Sequence, residues 1–240
     1  MLKYVVCTLL SVLLAQAVFA QDCSCIGQSQ ETFDSDLNPQ LWTVSSGCGT
    51  PSVSGGQLVL AKQGGCLGTM NARLVGTLCG DFIVTTDFEL PNFSVPNQAF
   101  SKYASFQVFN PGVGNVAVIE RYNRPLGDCN PGTMNYKSFG ASSVNCASSM
   151  AATTDMVGKL RIQRSGSTVT TFYWASGTAS WVPLRVISGV PTGPLGVGYY
   201  TGADESSAHE VHFDNLVMQS MACPTPARQL SWGRVKTTYR

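Results

Sequence analysis

The sequence predicts an all-β fold, a two-sheet antiparallel β-sandwich stapled by disulfides. Short runs of strand-forming residues follow one another along the 240-residue chain, separated by turn residues at the spacing of a sandwich. No stretch keeps apolar residues at helical spacing for more than a turn or two. Only 12% of the residues are charged, and 24 are glycine. This composition is typical of a β-rich chain with many turns.

Eight runs have the composition of strands, and turn residues lie between them. The runs are QLVLA, DFIVTTDFEL, YASFQVFN, NVAVIERYN, KLRIQR, TVTTFYW, LGVGYYT and EVHFDNLVMQ. Three hairpin turns are expected, at residues 55–56, 110–115 and 165–166. Residues 123–155 are long and rich in Gly, Ser, Asn and Pro, so we expect one extended excursion from the sandwich there.

The chain divides into a leader, a body and a tail. Residues 1–20 have the form of a secretory signal peptide, with Lys3 before an apolar run and cleavage expected after Ala20. The β-sandwich domain is expected to span residues 21–223, and residues 224–240 to form a basic C-terminal tail. We therefore expect a secreted, periplasmic or cell-surface protein with no membrane span after signal cleavage.

Cysteine usage agrees with export. Nine cysteines are present, and Cys7 leaves with the leader. The other eight are Cys23, Cys25, Cys48, Cys66, Cys79, Cys129, Cys146 and Cys223. An even number in an exported chain predicts disulfides. Cys48 and Cys66 are expected to pair because the chain between them turns back at two glycines, and Cys129 and Cys146 because they flank one loop. The pairing of the remaining four stays open.

Charge and spacing argue against several partners. Residues 21–227 hold 10 basic and 14 acidic side chains, and a mildly acidic body does not predict nucleic-acid binding. No cofactor is expected. Cys23 and Cys25 lack the spacing of a zinc site. Asp204 and Glu205 are the loop acids that a calcium ion would use, but two adjacent acids are typical of solvated charges. The oligomeric state does not follow from the sequence.

Four segments together carry a resemblance. They are ETFDSDLNPQLWTVSSG, SVSGGQLVL, GKLRIQRSGSTVTTFYWASGTASWVPL and GVGYYTGADESSAHEVHFDNLVM. In this order they resemble the concanavalin A-like lectin/glucanase superfamily, particularly its laminin-G-like and bacterial extracellular branches. The resemblance spans roughly residues 31–220 and implies a jelly-roll sandwich. It leaves the function open, because the superfamily includes lectins, glycosidases and adhesion modules.

One run carries acids in a pattern that the resemblance links to catalysis. Superfamily members that hydrolyse β-glucans carry a pattern similar to E-x-D-x-x-E, and HEVHFDN places Glu210, His212 and Asp214 on one face. His212 stands where that pattern has Asp. The Cα atoms of Glu210 and Asp214 would be about 13 Å apart at ~3.3 Å per residue, whereas glycosidases hold their carboxyl groups roughly 5–9.5 Å apart. Asp87, Glu89 and Glu120, on other runs, are expected to be exposed charges beside Arg or Lys.

The hairpin LRIQRSGSTVTTFYW has a mixed face opposite its core face. The expected turn pairs Ile162 with Val169 on the core face. The other face combines planar rings with hydrogen-bonding groups, which suits the C–H faces and hydroxyls of a sugar. The predicted ligand-binding residues are Arg161, Gln163, Phe172, Trp174 and, on a neighbouring run, Tyr122. The alternative is that residues 123–155 cover the two rings of the hairpin as a second small core.

These observations favour an exported, non-catalytic, lectin-like sandwich that binds a glycan, as polysaccharide or glycoconjugate, or another surface polymer. One alternative is a glycoside hydrolase acting on β-glucans, with Glu210 and Asp214 as its catalytic candidates. Another is a structural or adhesive protein whose tail attaches it to another component. Sugar release would distinguish the first alternative, and a change of location after removal of the tail would distinguish the second.

Overall fold

A computed structural model describes residues 28–66, 68–91, 93, 102–123, 134–140, 148–203 and 208–220. The described residues form fifteen β-strands and no helix. The strands are β1 (Ser29–Glu31), β2 (Trp42–Ser46), β3 (Ser52–Ser54), β4 (Gln57–Lys62), β5 (Gly68–Leu78), β6 (Phe82–Glu89), β7 (Lys102–Asn110), β8 (Gly114–Asn123), β9 (Met134–Gly140), β10 (Ser149–Ala152), β11 (Val157–Ser165), β12 (Thr168–Ala175), β13 (Ser180–Ile187), β14 (Leu195–Ala203) and β15 (His209–Ser220).

Backbone hydrogen bonds join these strands into two antiparallel sheets. The larger sheet has eight strands in the order β13-β12-β11-β6-β15-β4-β3, and β1 also pairs with β15. The smaller sheet has seven strands in the order β10-β9-β8-β7-β14-β5-β2. Buried apolar side chains from both sheets form one core between them. The predicted all-β, two-sheet sandwich is therefore confirmed.

All eight predicted runs are strands, namely β4, β6, β7, β8, β11, β12, β14 and β15. Residues 123–155 differ from the prediction, because β9 and β10 lie within them and extend the smaller sheet. In β9, Tyr136 and Ser138 are buried on one face while Lys137 and Phe139 are half-buried on the other. Each face thus mixes polar and apolar residues, which hides the alternation that marks a strand.

The hairpin between β11 and β12 turns one residue later than expected. Ser165 pairs with Thr168, so the two turn residues follow Ser165, and Gly166 adopts the left-handed φ of 57°. Ile162 lies opposite Thr171, so the predicted pairing with Val169 is wrong. The pairing differs by an even number of residues, so the core and outer faces are those predicted.

A cluster of aromatic rings fills the centre of the core around Tyr199 of β14. Its ring centroid lies 4.4 Å from that of Phe213, 5.5 Å from Phe106, 6.0 Å from Trp42 and 6.4 Å from Phe33. All five side chains are buried. Because Phe213 belongs to the larger sheet and Phe106 to the smaller, the cluster joins the two sheets.

One hydrogen-bonded chain crosses the core between the sheets. The Tyr199 hydroxyl donates to Thr86 Oγ1 of β6 at 3.0 Å, and Thr86 Oγ1 donates to the backbone oxygen of Asp214 at 2.9 Å. Burial raises the pKa of the Tyr199 hydroxyl, so it stays a neutral donor. Buried polar groups need such partners, and this chain fixes the backbone of β15 at Asp214.

One predicted disulfide is confirmed, between Cys48 and Cys66, with Cα atoms 5.6 Å apart. Cys79 is also disulfide-bonded. The remaining predicted disulfide cysteines, Cys23, Cys25, Cys129, Cys146 and Cys223, lie outside the described residues. So do the leader and the basic tail, which remain predictions. In the described ranges, no helix has the length and apolar character needed to cross a bilayer.

We expect Tyr199→Phe to lower the free energy of unfolding by ~1 kcal/mol, because Thr86 loses a buried partner while packing is retained. Urea denaturation, with an unchanged dependence on denaturant concentration, measures this loss. Tyr173→Phe is the matched control, because the Tyr173 ring stacks on Tyr136 at 4.5 Å without a hydroxyl hydrogen bond to another described residue. Equal losses in the two variants would contradict the role given to the hydroxyl.

Candidate functional site

The outward-facing side chains of the larger sheet line a cavity of about 350 Å³. Alternation sends Val211 and Phe213 of β15 into the core and the side chains between them outward. The residues most relevant to its chemistry are Asp87, Glu89, Asp155, Asp214, Lys159 and Trp174. We call this space the acidic cavity, because carboxylates outnumber the single lysine in its lining.

A β-bulge shapes one side of the acidic cavity. The pairing of β15 with β6 shifts between Asp214 and Val217, and Asn215 adopts a φ of 49°, a conformation that Asn tolerates. Consecutive side chains, Asp214 and Asn215, therefore both line the cavity. Asn215 Nδ2 donates to Asp87 Oδ2 at 3.0 Å and to Asp214 Oδ2 at 3.3 Å, and Lys159 Nζ lies 3.0 Å from Asp87 Oδ1. One amide group thus holds two carboxylates of the cavity.

His212 organises the other side of the cavity. Its Nε2 contacts Glu210 Oε1, and its Nδ1 lies 2.8 Å from Gln57 Oε1. Gln57 Nε2 donates to Glu89 Oε2 at 3.4 Å. Glu210 is engaged by His212 and does not line the cavity, whereas Glu89 and His212 do.

Asp155 brings a further carboxylate from the segment between β10 and β11, and buried residues of the smaller sheet hold it in place. The Arg121 guanidinium donates to the backbone oxygens of Asp155 at 2.8 Å, Thr153 at 3.3 Å and Asn135 at 3.4 Å. The Tyr136 hydroxyl donates to Asp155 Oδ2 at 2.9 Å. Burial lowers the pKa of Arg121, and its hydrogen bonds to carbonyl groups compensate for the lost solvation.

Trp174 connects the acidic cavity to a cluster of two indole rings and one guanidinium on β12, β13 and β11. Its ring packs edge-on against Trp181 at 5.3 Å, and the Arg161 guanidinium lies 4.0 Å from the centroid of the Trp181 ring. Burial lowers the pKa of Arg161. Its Nε is buried and has no hydrogen-bond partner in the described part of the chain. We call Trp174, Trp181 and Arg161 the tryptophan cluster; Phe172 and Gln163 lie half-buried on the same face.

Four of the five predicted ligand-binding residues share this face, and the fifth lies elsewhere. Tyr122 belongs to β8 of the smaller sheet, where it is only 6% exposed. It therefore does not extend the surface formed by Phe172 and Trp174. Strands β9 and β10 lie in the smaller sheet, so these parts of residues 123–155 form no second core over the two rings.

The two predicted catalytic candidates have different surroundings. Asp214 lines the acidic cavity beside Asp87, while Glu210 lies outside the lining, against His212. Asp87, expected to be an exposed charge, is half-buried: it pairs with Lys159 and lines the cavity, which the sequence interpretation missed. The sequence shows the alternation of β6, which contains Asp87, but it does not show that β6 pairs with β15. Glu120 was expected to be exposed and is 5% exposed, so that prediction is wrong.

No group of three or more His, Cys, Asp or Glu side chains within the described ranges is arranged to hold a metal ion. The four carboxylates of the acidic cavity are engaged with Lys159, an amide or a hydroxyl instead. The calcium candidates Asp204 and Glu205 lie outside the described residues.

Comparison with known proteins places the fold. No family model and no curated protein matches the chain. Among solved structures, a CBM2 module of the evolved Dit of Lactobacillus casei BL23 phage J-1 is 10% identical at a TM-score of 0.56, covering 80% of this chain and 96% of its own. A Bacillus licheniformis β-glucanase is 11% identical at a TM-score of 0.55, and the match covers 81% of this chain and 99% of the glucanase. The VIP36 exoplasmic/lumenal domain with Ca²⁺ and Man2 is 14% identical at a TM-score of 0.56, and the match covers 78% of this chain and 84% of the VIP36 chain. The chain therefore has the concanavalin A-like jelly-roll fold.

Proposed function

We propose that the protein is a non-catalytic glycan-binding module that uses the outer face of the larger sheet. The observation that carries the proposal is the acidic cavity, which has an indole ring in its lining and hydrogen-bonding side chains from four strands around it. Ligand sites commonly combine a concave shape, an aromatic surface and a few well-placed polar groups. The concanavalin A-like fold, shared with a CBM2 module and with VIP36 solved with Man2, supports a carbohydrate ligand.

The chemistry of the cavity favours a neutral sugar. The C–H face of a pyranose packs on the Trp174 ring, while its hydroxyls donate to the carboxylates of Asp87 and Asp214. The Arg161 guanidinium can donate from its free Nε to a further hydroxyl. Anionic polysaccharides are disfavoured because Asp155, Asp87, Asp214 and Glu89 repel them, with only one lysine in the lining to compensate.

Export is part of the proposal. The Cys48–Cys66 disulfide is typical of proteins that fold in oxidising compartments. The apolar leader at residues 1–20 supports the same interpretation. We therefore propose that the ligand is an extracellular or cell-surface polysaccharide.

A hydrolase would use a different pair of carboxylates in this structure from the Glu210 and Asp214 pair that the sequence indicated. Glu210 lies outside the cavity, so it does not face the same bound sugar as Asp214. Asp87 and Asp214 both line the cavity, and a carboxylate oxygen of each lies within 3.3 Å of the Asn215 side-chain nitrogen. A retaining glycosidase holds two carboxyl groups ~5–5.5 Å apart. A β-glucan hydrolase using Asp87 and Asp214 is therefore the second candidate function.

Trp174→Ala is expected to weaken binding to a soluble β-glucan or mannan by about tenfold or more, because a stacking surface worth at least ~1.4 kcal/mol is removed. Isothermal titration of the mature, oxidised protein measures the affinity, and thermal unfolding measures stability. Val186→Ala is the matched control, since Val186 is 61% exposed on β13 of the same sheet. Equal affinity for wild type and Trp174→Ala, with binding present, would refute the assigned surface.

Reducing-sugar release, read from the same mixtures, tests catalysis. The non-catalytic proposal expects no release by wild-type protein. Release that Asp214→Asn abolishes and Glu210→Gln leaves intact would instead establish the Asp87 and Asp214 hydrolase. Release that only Glu210→Gln abolishes would show that Glu210 is catalytic, as the sequence indicated, although it lies outside the cavity lining.

A further inference from the structure

Strand β2 forms one edge of the smaller sheet, and its side away from β5 is open in the described part of the chain. There β2 pairs with β5 and with no other strand. The backbone oxygen of Leu41 accepts from Val75 N at 2.8 Å, and Gly47 N donates to Thr69 O at 3.2 Å. Backbone groups of an antiparallel strand point alternately to its two sides. Val44, three residues from both Leu41 and Gly47, therefore directs its N–H and C=O away from β5.

Exposed apolar side chains lie along this edge. Leu41, Val44 and Val75 are 49%, 42% and 56% exposed. Strand β2, with the sequence WTVSS, holds no charged residue and no proline, although edge strands are ordinarily protected by a charge, a proline or a bulge. The edge strand β13 of the larger sheet has both Pro183 and a shift in its register with β12. The β2 edge, by which we mean the open backbone of β2 together with Leu41, Val44 and Val75, is therefore suited to accept a further strand.

Residues 234–240, which lie outside the described residues, have the alternating pattern of a strand. Their sequence is RVKTTYR, and we call them the basic run. Strand formers alternate on one face, namely Val235, Thr237 and Tyr239. Basic side chains occupy most of the other face, namely Arg234, Lys236 and Arg240. Strict alternation over this length predicts a half-buried strand.

Charge favours association of the basic run with the part of the chain around β2. Residues 28–61 contain three acidic side chains and no Lys or Arg, whereas residues 221–240 contain four basic side chains and no Asp or Glu. Two of the acids, Asp34 and Asp36, are exposed on the segment between β1 and β2. Opposite charges attract the two segments, while like charges disfavour association of the basic run with other basic segments.

The end of β15 lies close enough for the basic run to reach the β2 edge. Ser220 Oγ donates to the backbone oxygen of Cys79 at 2.7 Å, and Cys79 directly follows β5. Val75, earlier on β5, is about 13 Å from this point at ~3.3 Å per residue. Residues 221–233 span up to ~43 Å when extended. The connection therefore covers the distance, and it holds the basic run near β2 at an effective concentration on the order of millimolar.

We propose that the basic run pairs with the β2 edge of the same chain and adds a strand to the smaller sheet. Backbone hydrogen bonds to Val44 supply the affinity. The apolar face of the run packs beside Val44 at the margin of the core, and the aliphatic stems of Arg234 and Lys236 cover Leu41. An edge occupied in this way cannot pair with a second molecule. The site is independent of the proposed glycan function, because it shares no residue with the acidic cavity or the tryptophan cluster.

Native-state hydrogen exchange, read residue by residue by mass spectrometry on the full oxidised chain, tests this pairing. We expect every second amide of residues 235–239 to exchange ~100-fold more slowly than in a synthetic peptide of residues 221–240, because alternate N–H groups donate to β2. The Val44 amide should be protected as well. The protection should be the same at about 1 and 100 μM protein, because both strands belong to one molecule.

Two pairs of full-length variants test the position of the basic run. Val44→Lys places a cation on the β2 edge and should reduce the protection of residues 235–239 by about tenfold or more. Val186→Lys is its matched control, since Val186 is 61% exposed on the edge strand β13 of the other sheet. Thr237→Pro and Thr238→Pro remove consecutive N–H groups, so one of them should abolish the protection and the other should retain most of it.

The outcomes either support or overturn the proposal. Concentration-independent protection that Val44→Lys reduces and Val186→Lys retains would support it. Fast exchange of residues 235–239 in the wild type would overturn it, whether or not Val44 is protected. Protection that rises with protein concentration, together with a dimer in sedimentation, would assign the β2 edge to a second copy and overturn it too. Protection that Val44→Lys leaves intact would place the basic run on another surface. Should Val44→Lys not fold, the two threonine variants decide, because they leave the described residues unchanged.

Discussion

The hydrogen bond from Tyr199 to Thr86 joins the two sheets, and the chemistry of both outer faces depends on it. Alternation places Tyr200, next to Tyr199, on the outer face of the smaller sheet, and Asp87, next to Thr86, on the outer face of the larger. Fixing the core pair therefore fixes the orientation of one side chain on each outer face. Thr86 also donates to the Asp214 backbone, which holds the bulge that turns Asp214 and Asn215 into the cavity.

A charged side chain is among the buried groups of the sandwich. Arg121 is completely buried, and its guanidinium is used on backbone oxygens that hold the segment before β11. Desolvating a guanidinium is expensive, and hydrogen bonds to carbonyls, together with the nearby Asp155 carboxylate, offset that cost. Arg121 is thus a positioning residue for Asp155, because its guanidinium donates to the Asp155 backbone oxygen.

Local patterns predicted the strands but not the neighbours of each strand. Alternation in the sequence identified β6, β11, β12 and β15 and the residues on their outer faces, including Arg161 and Trp174. The acidic cavity arises because β6 pairs with β15, which lies more than a hundred residues later, and no local pattern contains that pairing. Tyr122 was assigned to the wrong face for the same reason. Glu120 was misjudged because it is buried and accepts a hydrogen bond from Ser105 of β7, a partner that depends on the register of β7 and β8.

The position of the acidic cavity bears on the choice between a lectin and an adhesive protein. The cavity lies on the outer face of the larger sheet. A polysaccharide bound along that face leaves the outer face of the smaller sheet uncovered, because the two sheets are ~10 Å apart. Glycan binding on one face and attachment through another surface are therefore compatible, so the lectin and adhesive interpretations do not exclude each other.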